Sequence, residues 1–177
     1  SRALGYRATS IGYGATSTNN DAVSIGYNSN VSGIYSAAIG FETRVTGQSA
    51  FALGYQTTAS GYLSSAIGNN ASSAGAWSTA IGFGATSTQD NSIILGSSSN
   101  NNNKIGIGTN APDERLHVVG SMKIVEENQG NGKVLVSDAT GKAVWQNPNS
   151  LKGYGEINKN SNQTLTSGGA ITYGNNG

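Results

Sequence analysis

Gly12, Gly26, Gly40, Gly54, Gly68, Gly82 and Gly96 recur every fourteen residues without exception. Each follows Ile or Leu: Ile11, Ile25, Ile39, Leu53, Ile67, Ile81 and Leu95. A second glycine falls halfway between at Gly33, Gly47, Gly61 and Gly75, with Asn19 and Gln89 in its place in the outer repeats. A fixed period of this kind marks a stacked repeat architecture. A coiled coil also counts in sevens, but these residue types reject it. Glycine costs about 1 kcal/mol in a helix interior, and Ser, Thr and Asn are poor helix formers. Seven residues instead suit a strand of about five and a tight turn. Two such units make one fourteen-residue coil, and successive coils stack as parallel strands. The glycines are expected where the backbone turns with positive φ. Gly5 is only seven residues from Gly12, so the register either slips by half a repeat or has an atypical first turn.

Alternation supports strands. Counting back from each main glycine, the second and fourth positions are small: Ser36 and Ala38, Ala50 and Ala52, Ser64 and Ala66, Ser78 and Ala80. The first and third are larger on average, as in Val23 and Ile25, Phe51 and Leu53, Ile93 and Leu95. In a strand these two sets face opposite ways. The other half-repeat keeps its third and fifth positions small too, as in Thr43 and Val45 or Ala71 and Ser73. Small side chains from two strands meet only in a thin roll with little core. The Ile/Leu row then lies outside, as a stripe along the stack. A fully buried Ile is worth about 1.5–3 kcal/mol, and a stripe left in water would be an apolar patch of several hundred Å². The simplest cover is other copies of the same chain around an axis, with Ile11, Ile25, Ile39, Leu53, Ile67, Ile81 and Leu95 at the interface. Six coils at about 4.8 Å each give a rod segment of roughly 29 Å.

Composition narrows the function classes. Charged residues make up 11% of the 177-residue chain, against about 25% in an ordinary soluble domain. The net charge is +1 and no basic run exists, so nucleic-acid binding has little electrostatic support. The absence of cysteine removes disulfides and thiolate metal sites. No apolar run approaches the roughly 20 residues of a membrane span. The chain begins inside a repeat and ends at Asn175-Asn176-Gly177 in mid-pattern, as a segment of a longer protein would.

The phrase Asn91-Ser92-Ile93-Ile94-Leu95-Gly96 resembles the head repeat of trimeric autotransporter adhesins, roughly Asn-Ser-Val-Ala-Ile-Gly. Ser36-Ala37-Ala38-Ile39-Gly40 and Ser78-Thr79-Ala80-Ile81-Gly82 are looser copies. The resemblance covers about residues 3–96. It implies a left-handed parallel β-roll, three copies tightly packed, exposed on a surface. Residues 104–124 and 130–146 resemble instead modules of phage tail-fibre and Bacteroidetes-type surface fibres. Residues 162–177 resemble the opening strands of a jelly-roll tip. The coiled-coil stalk and barrel anchor usual in such adhesins do not appear in these residues.

Beyond Gly96, "SSSNNNN" at 97–103 is a polar linker. Strands are expected at 104–107, 116–119 and 122–125, with a capped helical turn over Asn110-Ala111-Pro112-Asp113-Glu114. Residues 133–137 and 143–146 flank Asp138-Ala139-Thr140-Gly141, a hairpin signal. Trp145 with Val134 and Val136 would form a small cluster.

Motifs for chemistry are weak. Gly106-Ile107-Gly108-Thr109-Asn110-Ala111 matches a dinucleotide fingerprint, but Pro112 cuts off the helix it needs. Gly130-Asn131-Gly132-Lys133 runs into Val134, not the Ser or Thr of a P-loop. His117 is the sole histidine, and nothing places a nucleophile beside it. Three copies of it around an ion on a trimer axis would be the exception to a surface role. Acids in the roll are Asp21, Glu42 and Asp90, too few for a calcium-loaded roll. A flat ice-binding row of threonines is broken by Asn30 and Arg44. Aromatic residues follow the turns at Tyr6, Tyr13, Tyr27, Phe41, Tyr55 and Phe83, the pattern of a stacked ladder. Tyr35, Tyr62 and Trp77 fall near the other edge and are the candidate glycan contacts.

The sequence thus predicts an all-β chain: a left-handed parallel β-roll of fourteen-residue coils over 1–96 in a homotrimer, then short β-hairpin fibre modules. The domains expected are the roll (1–96), a linker (97–103), a neck module (104–147) and the start of a further β module (148–177). No catalytic residue, metal or cofactor is assigned. The expected partners are its own copies and a surface glycan or protein receptor, with no nucleic acid and no membrane insertion in this segment. The expected setting is extracellular, on a cell surface or a virion tail. Its function would be that of a non-enzymatic attachment fibre, of phage type or related. The alternatives are a bacterial trimeric adhesin head, or a shaft whose receptor-binding tip lies beyond residue 177.

Overall fold

The computed structural model describes residues 1–99 and 103–148. The expected jelly-roll strands, from residue 149 onward, and Asn100–Asn102 of the linker lie outside the described residues. The chain divides into two compact units, one ending at Ser121 and one beginning at Met122.

The first unit is built from short strands in strict alternation between two sheets. In chain order they are β1 (Arg2–Ala3), β2 (Thr9–Ile11), β3 (Thr16–Ser17), β4 (Val23–Ile25), β5 (Asn30–Val31), β6 (Ala37–Phe41) and β7 (Arg44–Val45). They continue as β8 (Phe51–Tyr55), β9 (Thr58–Ala59), β10 (Ser65–Asn69), β11 (Ser72–Ser73), β12 (Thr79–Ile81), β13 (Thr86–Ser87) and β14 (Ile93–Leu95). Odd-numbered strands form one seven-stranded parallel sheet and even-numbered strands the other. Every pairing joins a residue to the one fourteen further on, as in Ala38↔Ala52, Ala52↔Ala66 and Ala66↔Ala80. The expected parallel roll of fourteen-residue coils is therefore observed.

The interior is as thin as the small-residue pattern implied. Its positions are the second and fourth before each main glycine and the third and fifth after it. Ser36, Ala38, Thr43 and Val45 line one coil; Ala50, Ala52, Thr57 and Ala59 line the next. No fully buried side chain is larger than valine. Where serines face each other across the roll they bond directly, Ser24 to Ser29, Ser73 to Ser78 and Ser87 to Ser92, each at 2.6 Å. Thr43 and Thr57 face Ala38 and Ala52, and their hydroxyls are buried without a partner. An unsatisfied buried hydroxyl costs about 1–3 kcal/mol. Replacing both threonines by the isosteric valine is expected to raise the denaturant midpoint of unfolding, by about 1 kcal/mol per site. A lowered midpoint would show that the hydroxyls are bonded after all.

The turns depart from expectation in an instructive way. The main glycines do take positive φ, from 115° to 136° between Gly12 and Gly82, and 79° at Gly96. The halfway glycines do not. Instead, every seventh residue from Arg7 to Asn91 is left-handed, and eleven of these are not glycine, with φ of 50–57°. Asp21, Asn28, Asn70 and Asn91 suit that region, but Tyr35, Leu63 and Trp77 do not. Each such conformer costs roughly 1–2 kcal/mol. The compensation is regular: from Asp21 onward the amide of each donates to the carbonyl fifteen residues earlier, as in Asn28 to Tyr13 and Trp77 to Tyr62, both 2.8 Å. The halfway glycines are required by close approach instead. A Cβ on Gly47 would lie 2.0 Å from the carbonyl oxygen of Gly61 in the next coil. Gly5 belongs to this halfway row, since a Cβ there would meet the Asn19 carbonyl. Neither a half-repeat slip nor an atypical turn is present.

Beyond the roll, β15 (Ile105–Ile107) and β16 (Leu116–Val118) pair in parallel, close to the expected strands. Residues 110–114 are bends and irregular backbone, not the expected helical turn, so the amides after Pro112 are not drawn into a helix. In the second unit, 122–125 is not a strand, again against expectation; no strand in the described residues pairs with it. The expected hairpin is present as β17 (Val134–Ser137) and β18 (Ala143–Gln146), antiparallel. Its register sets Trp145 opposite Leu135 and Val136 opposite Val144. Trp145 is thus on the face away from Val134 and Val136, because side chains alternate, and the expected three-residue cluster does not form.

The hairpin loop is held by one carboxylate. Asp138 Oδ1 accepts from the Thr140 hydroxyl at 2.7 Å, the Thr140 amide at 2.8 Å and the Lys142 amide at 2.9 Å. The Thr140 hydroxyl bond first, then these amides, hold the Asp138 carboxyl below its ordinary value. A depressed folded pKa means the support is complete above the unfolded value of about 3.9 and is lost as pH falls through the lower folded value. The Thr140 and Lys142 amide resonances should be flat with pH above about 5 and move together with a midpoint below about 3.9. A midpoint at or above the ordinary aspartate value would remove the carboxylate from this role.

Candidate functional site

The two outer faces of the roll differ in chemistry. Outside the odd-numbered sheet, one column runs Arg2, Thr16, Asn30, Arg44, Thr58, Ser72, Thr86, neighbours in register. It is polar throughout, and Arg44 interrupts the hydroxyl row where the sequence placed it. Outside the even-numbered sheet, Ile11, Ile25, Ile39, Leu53, Ile67, Ile81 and Leu95 form one unbroken column. Beside it run Val23, Ala37, Phe51 and Ile93. Ile25, Ile39 and Ile67 are half-buried by their neighbours in the stack, whereas Ile11 and Ile93 are 57% and 71% exposed. The residues that could form a good core are on the surface, and the core is alanine, serine, threonine and valine.

The two turn edges also differ. On the edge after the main glycines, Tyr13, Tyr27, Phe41 and Tyr55 stack face to face, with centroids 5.0–5.4 Å apart and planes within 13°. This is the expected ladder. Asn69 ends it before Phe83. Tyr6 is not part of it: it sits at the opposite edge, fourteen residues before Asn20, whose Oδ1 accepts from the Tyr6 amide. On that opposite edge the Arg7 guanidinium meets Asp21 at 2.7 Å. There too the structure brings Tyr62 and Trp77 together, centroids 5.7 Å apart and perpendicular at 89°. Tyr35 occupies the same turn position as Trp77, three coils earlier.

His117 lies on β16, with Nδ1 2.6 Å from Asp113 Oδ1. The Asp113 amide also approaches Nδ1, at 3.4 Å. Nδ1 cannot donate and accept at once, and the short carboxylate contact requires the proton on Nδ1. Asp113 is largely exposed, and the pair joins the ends of the loop that leads into β16. Gly106 is the middle residue of β15 and Gly108 follows the strand; a Cβ on Gly106 would meet the Thr109 carbonyl. Among the described residues no group of three or more His, Cys, Asp or Glu could hold a metal ion. No helix there is long and apolar enough to cross a membrane.

The row of left-handed turn residues was missed from sequence because most are not glycine. The available signal was Gly14, Asp21, Asn28, Asn70, Gly84 and Asn91, all in a seven-residue register and all tolerant of that conformation.

No curated protein matches the chain. Residues 3–29, 17–43, 46–71, 59–85 and 74–99 each match the YadA head domain repeat (2 copies). Each match spans about two of the coils described above, and adjacent matches overlap or nearly abut along the roll. Together they cover 3–43 and 46–99, more than half of the chain, and the protein belongs to the YadA head repeat family.

Proposed function

We propose that the protein is a non-enzymatic homotrimeric fibre, displayed outside the cell, that attaches its bearer to a surface. The observation that carries this reading is the inversion of the roll: nothing larger than valine is fully buried in it, while Ile11 to Leu95 form a column on its outer face, half-buried or exposed. Alanine burial gives little stabilisation per residue. Three copies turning their even-numbered sheets toward a common axis would bury that column and leave three polar sheets outside. A neutral, charge-poor surface of this kind carries no steering field for nucleic acid. Family membership supports an adhesin-type fibre over an enzyme. Residues 104–147 would be the neck after the linker 97–103, and 148–177 the start of a further module. Within this reading, the hairpin formed where 130–146 resembles tail-fibre modules favours a particle-borne fibre as the second form.

Beads coated with the full chain should be retained on a receptor-bearing cell layer. The same beads carrying residues 1–97 should be retained equally if the roll makes the contact. Retention lost with the shorter chain would make the roll a shaft. Absence of retention with the full chain on every surface tried would remove the attachment role.

A further inference from the structure

Tyr62 and Trp77 meet on the edge opposite the aromatic ladder and in a different geometry. At the other edge, parallel stacking covers ring faces and stiffens the turns. Tyr62 and Trp77 meet at 89°, a right-angled corner in which the rings do not cover each other as those of the ladder do. Trp77 is 54% exposed and Tyr62 45%. Trp77 also holds a left-handed backbone, φ 52°, at a row where asparagine or glycine would be unstrained. That conformation is shared by every seventh residue of the roll, but here it carries the roll's largest side chain, which leaves half its surface in water. An exposed aromatic pair of this size is a surface on which a ligand can stack.

The next coil supplies the polar groups. Asp90 and Asn91 occupy the turn positions of Ala76 and Trp77 one coil further on, about 4.8 Å along the stack. Asp90 Oδ1 accepts from the Ala76 amide at 2.8 Å, which fixes the carboxylate at the turn next to Trp77 in the chain and leaves Oδ2 to a ligand. A flat apolar ring with a fixed carboxylate and a carboxamide one strand spacing away suits a ligand with one apolar face and several hydroxyls. The carboxylate disfavours an acidic ligand, and the cation of this edge row, Arg7, is paired with Asp21.

Resting on the attachment reading above, we propose that Tyr62, Trp77, Asp90 and Asn91 form a carbohydrate subsite that takes a neutral hexopyranose of a surface glycan. The sugar's C–H face lies on the indole, Tyr62 closes the corner, and Asp90 and Asn91 bond the hydroxyls.

The test uses the full chain carrying Trp145→Phe, so that Trp77 alone fluoresces. Titration with neutral hexose oligosaccharides should shift Trp77 emission to shorter wavelength and saturate. Sialylated or uronic oligosaccharides should bind at least tenfold more weakly. Neutral-sugar affinity on a glycan array should fall at least tenfold in Trp77→Ala and severalfold in Asp90→Asn, with Tyr13→Ala at the other edge unchanged. Native mass equal to the parent's in each variant separates loss of the subsite from loss of the fibre. Equal affinity in Trp77→Ala, a preference for acidic sugars, or no saturable binding would each overturn the proposal. So would an indole already shielded from quencher in the unliganded assembly, since a neighbouring copy would then fill the corner.

Discussion

Gly54→Ala is expected to unfold the centre of the roll. Two independent penalties meet there. The backbone sits at φ 136°, outside the regions open to an L-residue with a side chain. A Cβ would also lie 1.8 Å from the carbonyl oxygen of Gly68. Real atoms do not approach so closely, so the fourth and fifth coils must separate and lose the ladder from Phe51–Tyr55 to Ser65–Asn69. Breaking that ladder exposes backbone groups that the roll has little apolar core to offset. Destabilisation above about 4 kcal/mol is expected, the range of backbone strain combined with severe overpacking. Circular dichroism melts of the full chain would show it, with hydrogen exchange rising first at Phe51–Tyr55. Gln89→Ala is the control, since a side chain already stands there in place of a halfway glycine; its effect should stay within about 0.5 kcal/mol. A Gly54→Ala chain that melts with the parent would mean the coils can spread without loss, contrary to the packing described.

Charges on the apolar column should abolish assembly. Leu53 and Ile67 are register neighbours in the middle of the even-numbered sheet. Lysine at both positions would place six ammonium groups around the axis of a trimer, in a space that excludes water. Burial lost at about 1.5–3 kcal/mol per site, in three chains, already removes roughly 10 kcal/mol of association. Charge repulsion adds to this. The expected outcome is a chain that no longer associates at micromolar concentration, whether it then stays folded alone or not. Thr58→Lys and Ser72→Lys, register neighbours on the other sheet, should leave the mass unchanged. An assembly that survives lysine at 53 and 67 but not at 58 and 72 would place the interface on the wrong sheet.

Much of the roll was legible because its two strongest signals agree. The glycine count fixed coil length, and the small-residue alternation fixed which faces meet. Ala38, Ala52 and Ala66 are buried, and Ile39, Leu53 and Ile67 point outward, as period-two patterning requires. The turn geometry was only half legible. Glycine marks both backbone freedom and close approach, and sequence alone does not separate Gly54, which needs both, from Gly47, which needs only space. Leu63 and Trp77 hid a left-handed row because their conformation is enforced by bonds to the preceding coil, not by local preference. After Gly96 the signals weaken. Pro112 and two acids suggested a helix start, but the residues that follow run directly into β16, so no helix forms to be capped. Tyr62 and Trp77 were both singled out near one edge, yet their perpendicular contact depends on coil-to-coil offset, which residue spacing does not reveal.

If the column from Ile11 to Leu95 is covered by other copies of the chain and by nothing else, the full chain associates at micromolar concentration, and sedimentation equilibrium reads this directly. A single species at three times the chain mass of 18.0 kDa is predicted, with strand content retained. A folded species at the mass of one chain, stable on dilution, would contradict it.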